Sequence, residues 1–227
     1  AVTFDERQQF LLREEAFEDE FFLADATLEL DVGEVSFTSV TSYENRNILV
    51  SRDASALTGS VSVDLGFPDA AVLLPSNLRD TTDVKQFTHE TRAASNNDSR
   101  FQWLVGVFYS DVERDYAQRL PTPGYDAFVD LAFGAGTSAA VANGFTETDS
   151  PYNADLPYDI QQLAVFGEAT YDFTDQFHVT GGVRYYDFEE ERTFHSGGLF
   201  SGGDNRVDST TSNGFSPRVL VSFDVND

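Results

Sequence analysis

Apolar and polar residues alternate with a period of two along several stretches of the chain, the mark of strands with one greasy face and one polar face. In "LAVFGEATYDFTDQFHVTGGVRYY", residues 163–186, Leu163, Val165, Gly167, Ala169, Tyr171 and Phe173 share one face, with Ala164, Phe166, Glu168, Thr170 and Asp172 on the other. After the polar knot Thr174-Asp175-Gln176 the alternation resumes, with Val179, Gly181, Val183 and Tyr185 against Thr180, Gly182, Arg184 and Tyr186. The pattern predicts a hairpin. Similar runs predict strands over 21–32, 34–46, 85–95, 101–116 and 214–225, seven in all. Ala24, Ala26, Leu28, Leu30 and Val32 oppose Asp25, Thr27, Glu29 and Asp31, and Val35, Phe37 and Tyr43 oppose Ser36, Thr38, Ser42 and Glu44. The third strand carries Glu90 and Arg92 on one side, and the last points Phe215, Val219, Val221, Phe223 and Val225 outward.

The connections alternate as well. Short links at Gly33, 96–100 and 174–176 separate long ones over 47–84, 117–159 and 193–213. Transmembrane barrels show this asymmetry, with short turns on one side of the membrane and long loops on the other. A soluble Greek-key sandwich sets its connection lengths by topology, and structureless loops of about forty residues are uncommon in compact domains. No apolar run approaches the roughly eighteen residues of a membrane helix, but a barrel strand crosses with about 9 to 11 alternating residues. The pattern therefore predicts an all-β fold, an antiparallel up-and-down meander forming a segment of a transmembrane β-barrel with long extracellular loops. Residues 1–20 read as a loop feeding the first strand, with an optional helical turn where Thr3 and Glu6 have capping-box spacing.

Composition narrows the partners. Asp and Glu number 39 against 14 Lys and Arg, a net charge of -25 that would repel a phosphate backbone, so no nucleic-acid partner is expected. Lys85 is the single lysine. The lack of cysteine removes disulfides, thiol nucleophiles and thiolate metal sites together. The amino end is acidic and does not resemble a signal peptide, and the absence of any methionine suggests an internal piece of something longer.

Candidate chemistry is sparse. His89, His178 and His195 are scattered without ligand spacing, and neither a G-x-S-x-G elbow nor a phosphate-cradling loop is present, so neither enzyme, cofactor nor metal is expected. The acidic runs "REEAFEDE" (13–20) and "DFEEER" (187–192) raise the question of calcium, but no EF-hand pattern accompanies them and they read as a solvated loop rim. Glu90 with Arg92, and Glu168, Arg184 and Arg218 on neighbouring strands, read as charge ladders on a lumen-facing wall. If the loops meet a ligand, Phe128, Phe133, Phe145 and Tyr152 are the aromatic candidates for stacking on it.

Four phrases in order, "VSFTSVTSYENR", "FTHETRAAS" followed by "FQWLVGVFYS", "LAVFGEATYDFTDQFHVTGGVRYYDFEEER" and "GFSPRVLVSFDVND", resemble the barrel region of TonB-dependent outer-membrane receptors. The resemblance covers about half of the chain directly. It implies part of a plugged 22-stranded barrel that takes up scarce nutrients such as ferric siderophores, haem, cobalamin or oligosaccharides, with energy delivered through the TonB complex. The partners it implies are outer-membrane lipid, a small nutrient ligand and, through a plug region absent from these residues, TonB. Residues 1–227 are accordingly expected to be one partial barrel domain of about seven strands, with plug, signal peptide and C-terminal strands missing. An odd strand count and the closing "DVND" both depart from a complete barrel. The alternatives are a soluble acidic β-sandwich that binds ligands and a small passive outer-membrane pore.

Overall fold

A computed structural model of the chain describes residues 11–225. Seven antiparallel strands, β1 (Ala16–Val32), β2 (Val35–Asp53), β3 (Asn77–Ser95), β4 (Phe101–Arg119), β5 (Asn153–Asp172), β6 (Phe177–Gly197) and β7 (Asn205–Phe223), form one sheet in sequence order. This is the meander that the alternation predicts. It leaves no Greek-key crossover and, among the described residues, no second sheet to cover the apolar face, so the sandwich is ruled out. The sheet is open, with β1 and β7 at its edges.

Every strand is longer than its alternating segment. Residues 16–20, expected in a loop, are strand, whereas Thr3 and Glu6 lie outside the described residues. The long links contract to 54–76, 120–152 and 198–204. The reason is physical: beyond Tyr43 and Phe87 both faces of the strands are mixed, so no period of two marks them, and beyond Leu163 the apolar positions change parity to Ala154, Leu156, Tyr158 and Ile160 around Pro157, yet the backbone ladder continues unbroken. In β4 and β5 it runs from Phe101↔Tyr171 to Arg119↔Asn153.

The links are not structureless. They hold α1 (Ser55–Asp64), α2 (Asp69–Val72), α3 (Tyr125–Phe133) and α4 (Thr137–Val141). Most of the buried apolar side chains gather there: Phe67, Ala71, Tyr125 and Val129 form a small core with Leu74, Phe128, Leu199 and Phe200 against it. Tyr125 packs on Phe67 and, edge-on, on Phe200, each at 5.6 Å, and its hydroxyl meets Ser62 Oγ at 2.9 Å. In the sheet itself, away from its loop end, only Ala164 among the apolar residues is buried. The molecule is thus a bare wall with a packed cap at one end.

Candidate functional site

Strand register sorts the wall into two faces. On one face β4 carries Phe101, Trp103, Val105, Val107 and Tyr109, and then Asp111, Glu113 and Asp115. Its neighbour β5 carries Tyr171, Ala169, Gly167, Val165 and Leu163 in register with those apolar residues, followed by Gln161 and Asp159. The same break falls after Tyr185 on β6, where Asp187, Glu189 and Glu191 follow, and after Phe215 on β7. On β3 it falls after Phe87, on β2 after Tyr43 and on β1 after Phe22. The apolar band is nine residues tall on β4 (101–109) and on β5 (163–171), roughly half of each strand.

The upper border is largely aromatic. Phe87 meets Tyr109 at 6.3 Å and Tyr185 meets Phe215 at 5.1 Å, while the Tyr109 hydroxyl donates upward to Asp111 at 3.2 Å. At the lower border Tyr171 meets Phe173 edge-on at 4.8 Å, and Phe173 meets Phe177 at a tilt at 5.8 Å. The upper border also climbs relative to the hydrogen-bonded rows. Tyr43 pairs with Phe87, but Phe87 pairs with Asp111, Leu163 with Asp187, and Phe22 with Asn45. Three two-residue steps over six strand pairs average one residue per strand. With about 3.4 Å along a strand and about 4.8 Å between strands, that is a tilt of about 35° between the strands and the normal to the band.

Above the band the same face is polar and, on β4 to β6, mainly acidic, with Lys85 of β3 beside Glu113. Glu113, Asp159 and Glu191 stand in register on three adjacent strands, and Asp83 faces Asp115. Like charges directly opposite one another destabilise a sheet, so they are tolerated only where water screens them. The run 13–20, expected as a loop rim, continues into β1 and 187–192 lies within β6; alternation splits their acids between two faces.

The opposite face is polar over most of the band. Glu90, Arg92, Glu168, Arg184 and Arg218 all lie on it, as register requires. Arg92 pairs with Glu90 at 3.6 Å and Arg218 with Glu168 at 3.1 Å. Arg184 does not join that ladder: its guanidinium lies 5.3 Å over Phe108 and 5.9 Å over Phe166, a cation–π contact. The Phe166 ring in turn fills the space over Gly106, where a Cβ would come within 2.4 Å of it. Higher up, Arg114 sits over both Tyr116 and Tyr158, and Asp80 binds Arg52 and Gln118. These cross-strand sets have no signature in local spacing.

The candidate loop aromatics separate. Phe128 packs into the cap core. Phe145 is clamped, stacked on His195 at 4.5 Å with the Arg119 guanidinium 4.9 Å over its ring. Arg119 also binds Glu147 and Asp155 at 2.7 Å each, and although burial opposes it, the bond from Arg119 keeps the Glu147 carboxyl below its usual range. Gly197 is required beneath this clamp, because a Cβ there would lie 2.0 Å from the Ala142 carbonyl oxygen. Tyr152 is half-buried, and burial pushes its phenol up. Phe133 touches Phe67 yet stays 50% exposed. A cleft of about 280 Å³ opens between Asp126, Val129, Phe145, Glu147 and Leu199.

The three histidines do not converge. His89 bonds Thr41 and Thr91, His178 bonds Asp172 and Asp224, and His195 bonds the Asn143 carbonyl. Among the described residues no three His, Asp or Glu side chains gather as a metal site.

A family profile described as TonB dependent receptor-like, beta-barrel, matches residues 5–227. No curated protein matches the chain in sequence. Among solved structures it is similar to the ferric yersiniabactin uptake receptor FyuA of Yersinia pestis, with a TM-score of 0.61 and 13% identity over 91% of this chain. It is also similar to the siderophore receptor PiuA of Acinetobacter baumannii, with a TM-score of 0.57 and 15% identity over 92% of this chain. At such identities the likeness is one of fold. The chain spans 26% of the first structure's length and 30% of the second's.

Proposed function

This chain belongs to the TonB-dependent receptor β-barrel family, and from that premise we propose that it forms part of the wall and outer loops of an outer-membrane receptor for TonB-energised uptake of a scarce nutrient. The apolar band lies in lipid. The face bearing Glu90, Arg92, Glu168, Arg184 and Arg218 lines the lumen, and the helical links form an extracellular cap. The edges β1 and β7 pair with further strands of the barrel, because unpaired backbone groups are not tolerated in hydrocarbon. The role is transport and involves no catalysis. Contact with TonB runs through a plug outside these residues.

The observation that carries this reading is the band. Its nine residues match the roughly 9 to 11 that a tilted strand needs to cross a bilayer, and its slope of about 35° falls in the range of about 35–45° for membrane barrels. A passive pore would share both features. The family match favours the energised receptor over it. The names of the two similar structures support a ferric siderophore as the ligand class, with Phe133, the candidate aromatic left half-free, as the contact to examine first.

The test is complementation. A strain deleted for the full-length receptor should lose uptake of a ferric chelate and regain it with the intact gene only when TonB is present. Uptake that persists unchanged without TonB would reject the energised reading.

A further inference from the structure

The three links of the cap, 54–76, 120–152 and 198–204, contain no lysine, arginine or histidine, while seven carboxylates lie in them, from Asp64 to Asp204. The shortage of cations is local. The polar face of the wall carries eight arginines on strands β2 to β7, among them Arg46, Arg92, Arg114, Arg184, Arg192 and Arg218. Of the arginines at the strand ends nearest the cap, Arg52 pairs with Asp80 and Arg119 with Glu147 and Asp155, Arg206 lies over the Phe194 ring, and Arg79 stands on the outward face of β3.

Several of the cap carboxylates are built into the loops as hydrogen-bond acceptors. Asp130 accepts backbone N–H bonds from Ser138 at 2.8 Å and Gly136 at 3.0 Å, which hold its carboxyl below the ordinary range. Asp126 and Asp149 each accept the other's backbone N–H, at 2.8 and 3.0 Å. At Asp130 the backbone bonds favour the charged form, and the field of a fixed charge reaches about 8 Å at physiological salt.

Among these charges the cap leaves apolar side chains in the open. Leu131 is 81% exposed and Leu73 74%, with Leu57, Val63 and Phe133 each at least half exposed. They belong to α1, α3 and the end of α2, outside the small core that holds the cap together.

Resting on the receptor reading above, we propose that the cap is a charge filter: it offers an apolar contact surface to a neutral or cationic solute with a greasy face and turns anionic solutes away. Fixed charge of one sign around a binding surface concentrates counter-ions and depletes co-ions, and it does so less as salt rises. A ferric chelate of net charge zero or +1 fits this surface. A trianionic chelate of the same size does not.

The experiment uses the full-length receptor. Binding of three ferric tris-chelates of similar size and net charge +1, 0 and -3 is followed by quenching of intrinsic fluorescence at low and high salt. The trianion should bind at least tenfold more weakly than the neutral chelate at low salt, and the gap should narrow in concentrated salt and in the Asp64→Asn, Asp69→Asn double variant. Equal or tighter binding of the trianion overturns the filter. A second readout does not depend on which chelate is accepted. Since this segment has no cysteine, Leu131→Cys in a receptor otherwise free of cysteine takes one spin label, whose collisions with neutral and anionic water-soluble paramagnetic complexes report the local potential. The anionic complex should collide at least threefold less often at low salt, and equal rates overturn the proposal. Loss of the filter with TonB-dependent uptake intact would reject this inference alone, whereas a filter without such uptake would reject the receptor reading.

Discussion

The lower and upper halves of the wall are built from the same strands and the same hydrogen-bond ladder, yet they suit different solvents. Below the line from Phe22 through Tyr43, Phe87, Tyr109, Leu163 and Tyr185 to Phe215, the outward face is apolar and exposed except on β2 and β3, where Ser39, Thr41, His89 and Thr91 bond one another; Val165 is 52% and Val219 77% accessible. Above it the outward face carries Asp111, Glu113, Asp159, Glu189 and Glu191. A ladder of backbone bonds is indifferent to this change, since each peptide group finds its partner across the strand whatever side chain it bears. The outward side chains alone decide where hydrocarbon can end and water begin. On the proposed reading about ten residues of each of β2 to β7, and six of β1, rise beyond the lipid, at about 3.4 Å each along the strand.

The sharpest way to break the comparison is to exchange the two solvents at one position. Val183→Arg, inside the band on β6, should destabilise the folded full-length receptor in vesicles by about 2 to 4 kcal/mol, as arginine does near the bilayer midplane. Glu191→Arg, on the same face of the same strand but above the line, should change stability by less than about 0.5 kcal/mol. Equal costs in denaturant titrations would erase the distinction between the halves.

A smaller effect is expected on the other face of the band. Gly106→Val would force the Phe166 ring from its place and with it the platform under Arg184. Overpacking of this kind costs about 1 to 3 kcal/mol. Phe166→Ala should relieve the clash, so the double variant should be more stable than the sum of the single changes predicts.

The lower half was legible in the sequence and most of the upper half was not. On β2 and β3 both faces above the line are mixed, so no period of two marks them. On β5 the alternation continues above the line but changes parity, with Ala154, Leu156, Tyr158 and Ile160 opposite Asn153, Asp155, Pro157 and Asp159, and the proline and acids made it read as loop. The cap divides in the same way. Tyr125, Phe128, Val129, Ala132 and Phe133 of α3 have the spacing of a helix stripe and could have been read as one. By contrast, α1 buries Ser55, Thr58, Gly59 and Ser62, a face of small residues with no hydrophobic signal. Of the site residues, the polar-face positions followed directly from strand parity. The engagement of Phe145 with Arg119 and His195 did not, because its partners lie 26 and 50 residues away in sequence.

Where the cap joins the wall, Phe145→Ala should remove an aromatic and cation–π stack and cost the cap about 0.5 to 1.5 kcal/mol. Limited proteolysis should cut residues 142–149 faster in that variant, with the wall still protected.

The smallest expected effect is the pH response of Asp130. Its folded-state value is depressed by backbone bonds from Ser138 and Gly136. Its contribution is therefore present above the unfolded carboxylate value of about 3.9 and is lost as pH falls through the lower, folded value. Amide exchange at Gly136 and Ser138, corrected for its intrinsic pH dependence, should accelerate in the wild type below that range. In Asp130→Asn it should already be fast at neutral pH.

A tilted line across the wall should mark the edge of the bilayer. Single cysteines placed in a full-length, otherwise cysteine-free receptor in vesicles and spin-labelled can locate it, by comparing collisions with oxygen, which favours lipid, and with a water-soluble complex. The switch from lipid to water should fall between Tyr43 and Asn45 on β2, between Leu163 and Gln161 on β5 and between Tyr185 and Asp187 on β6. A switch that follows a single hydrogen-bonded row across all three strands, or lipid exposure that continues past Asp159 and Glu189, would contradict the account.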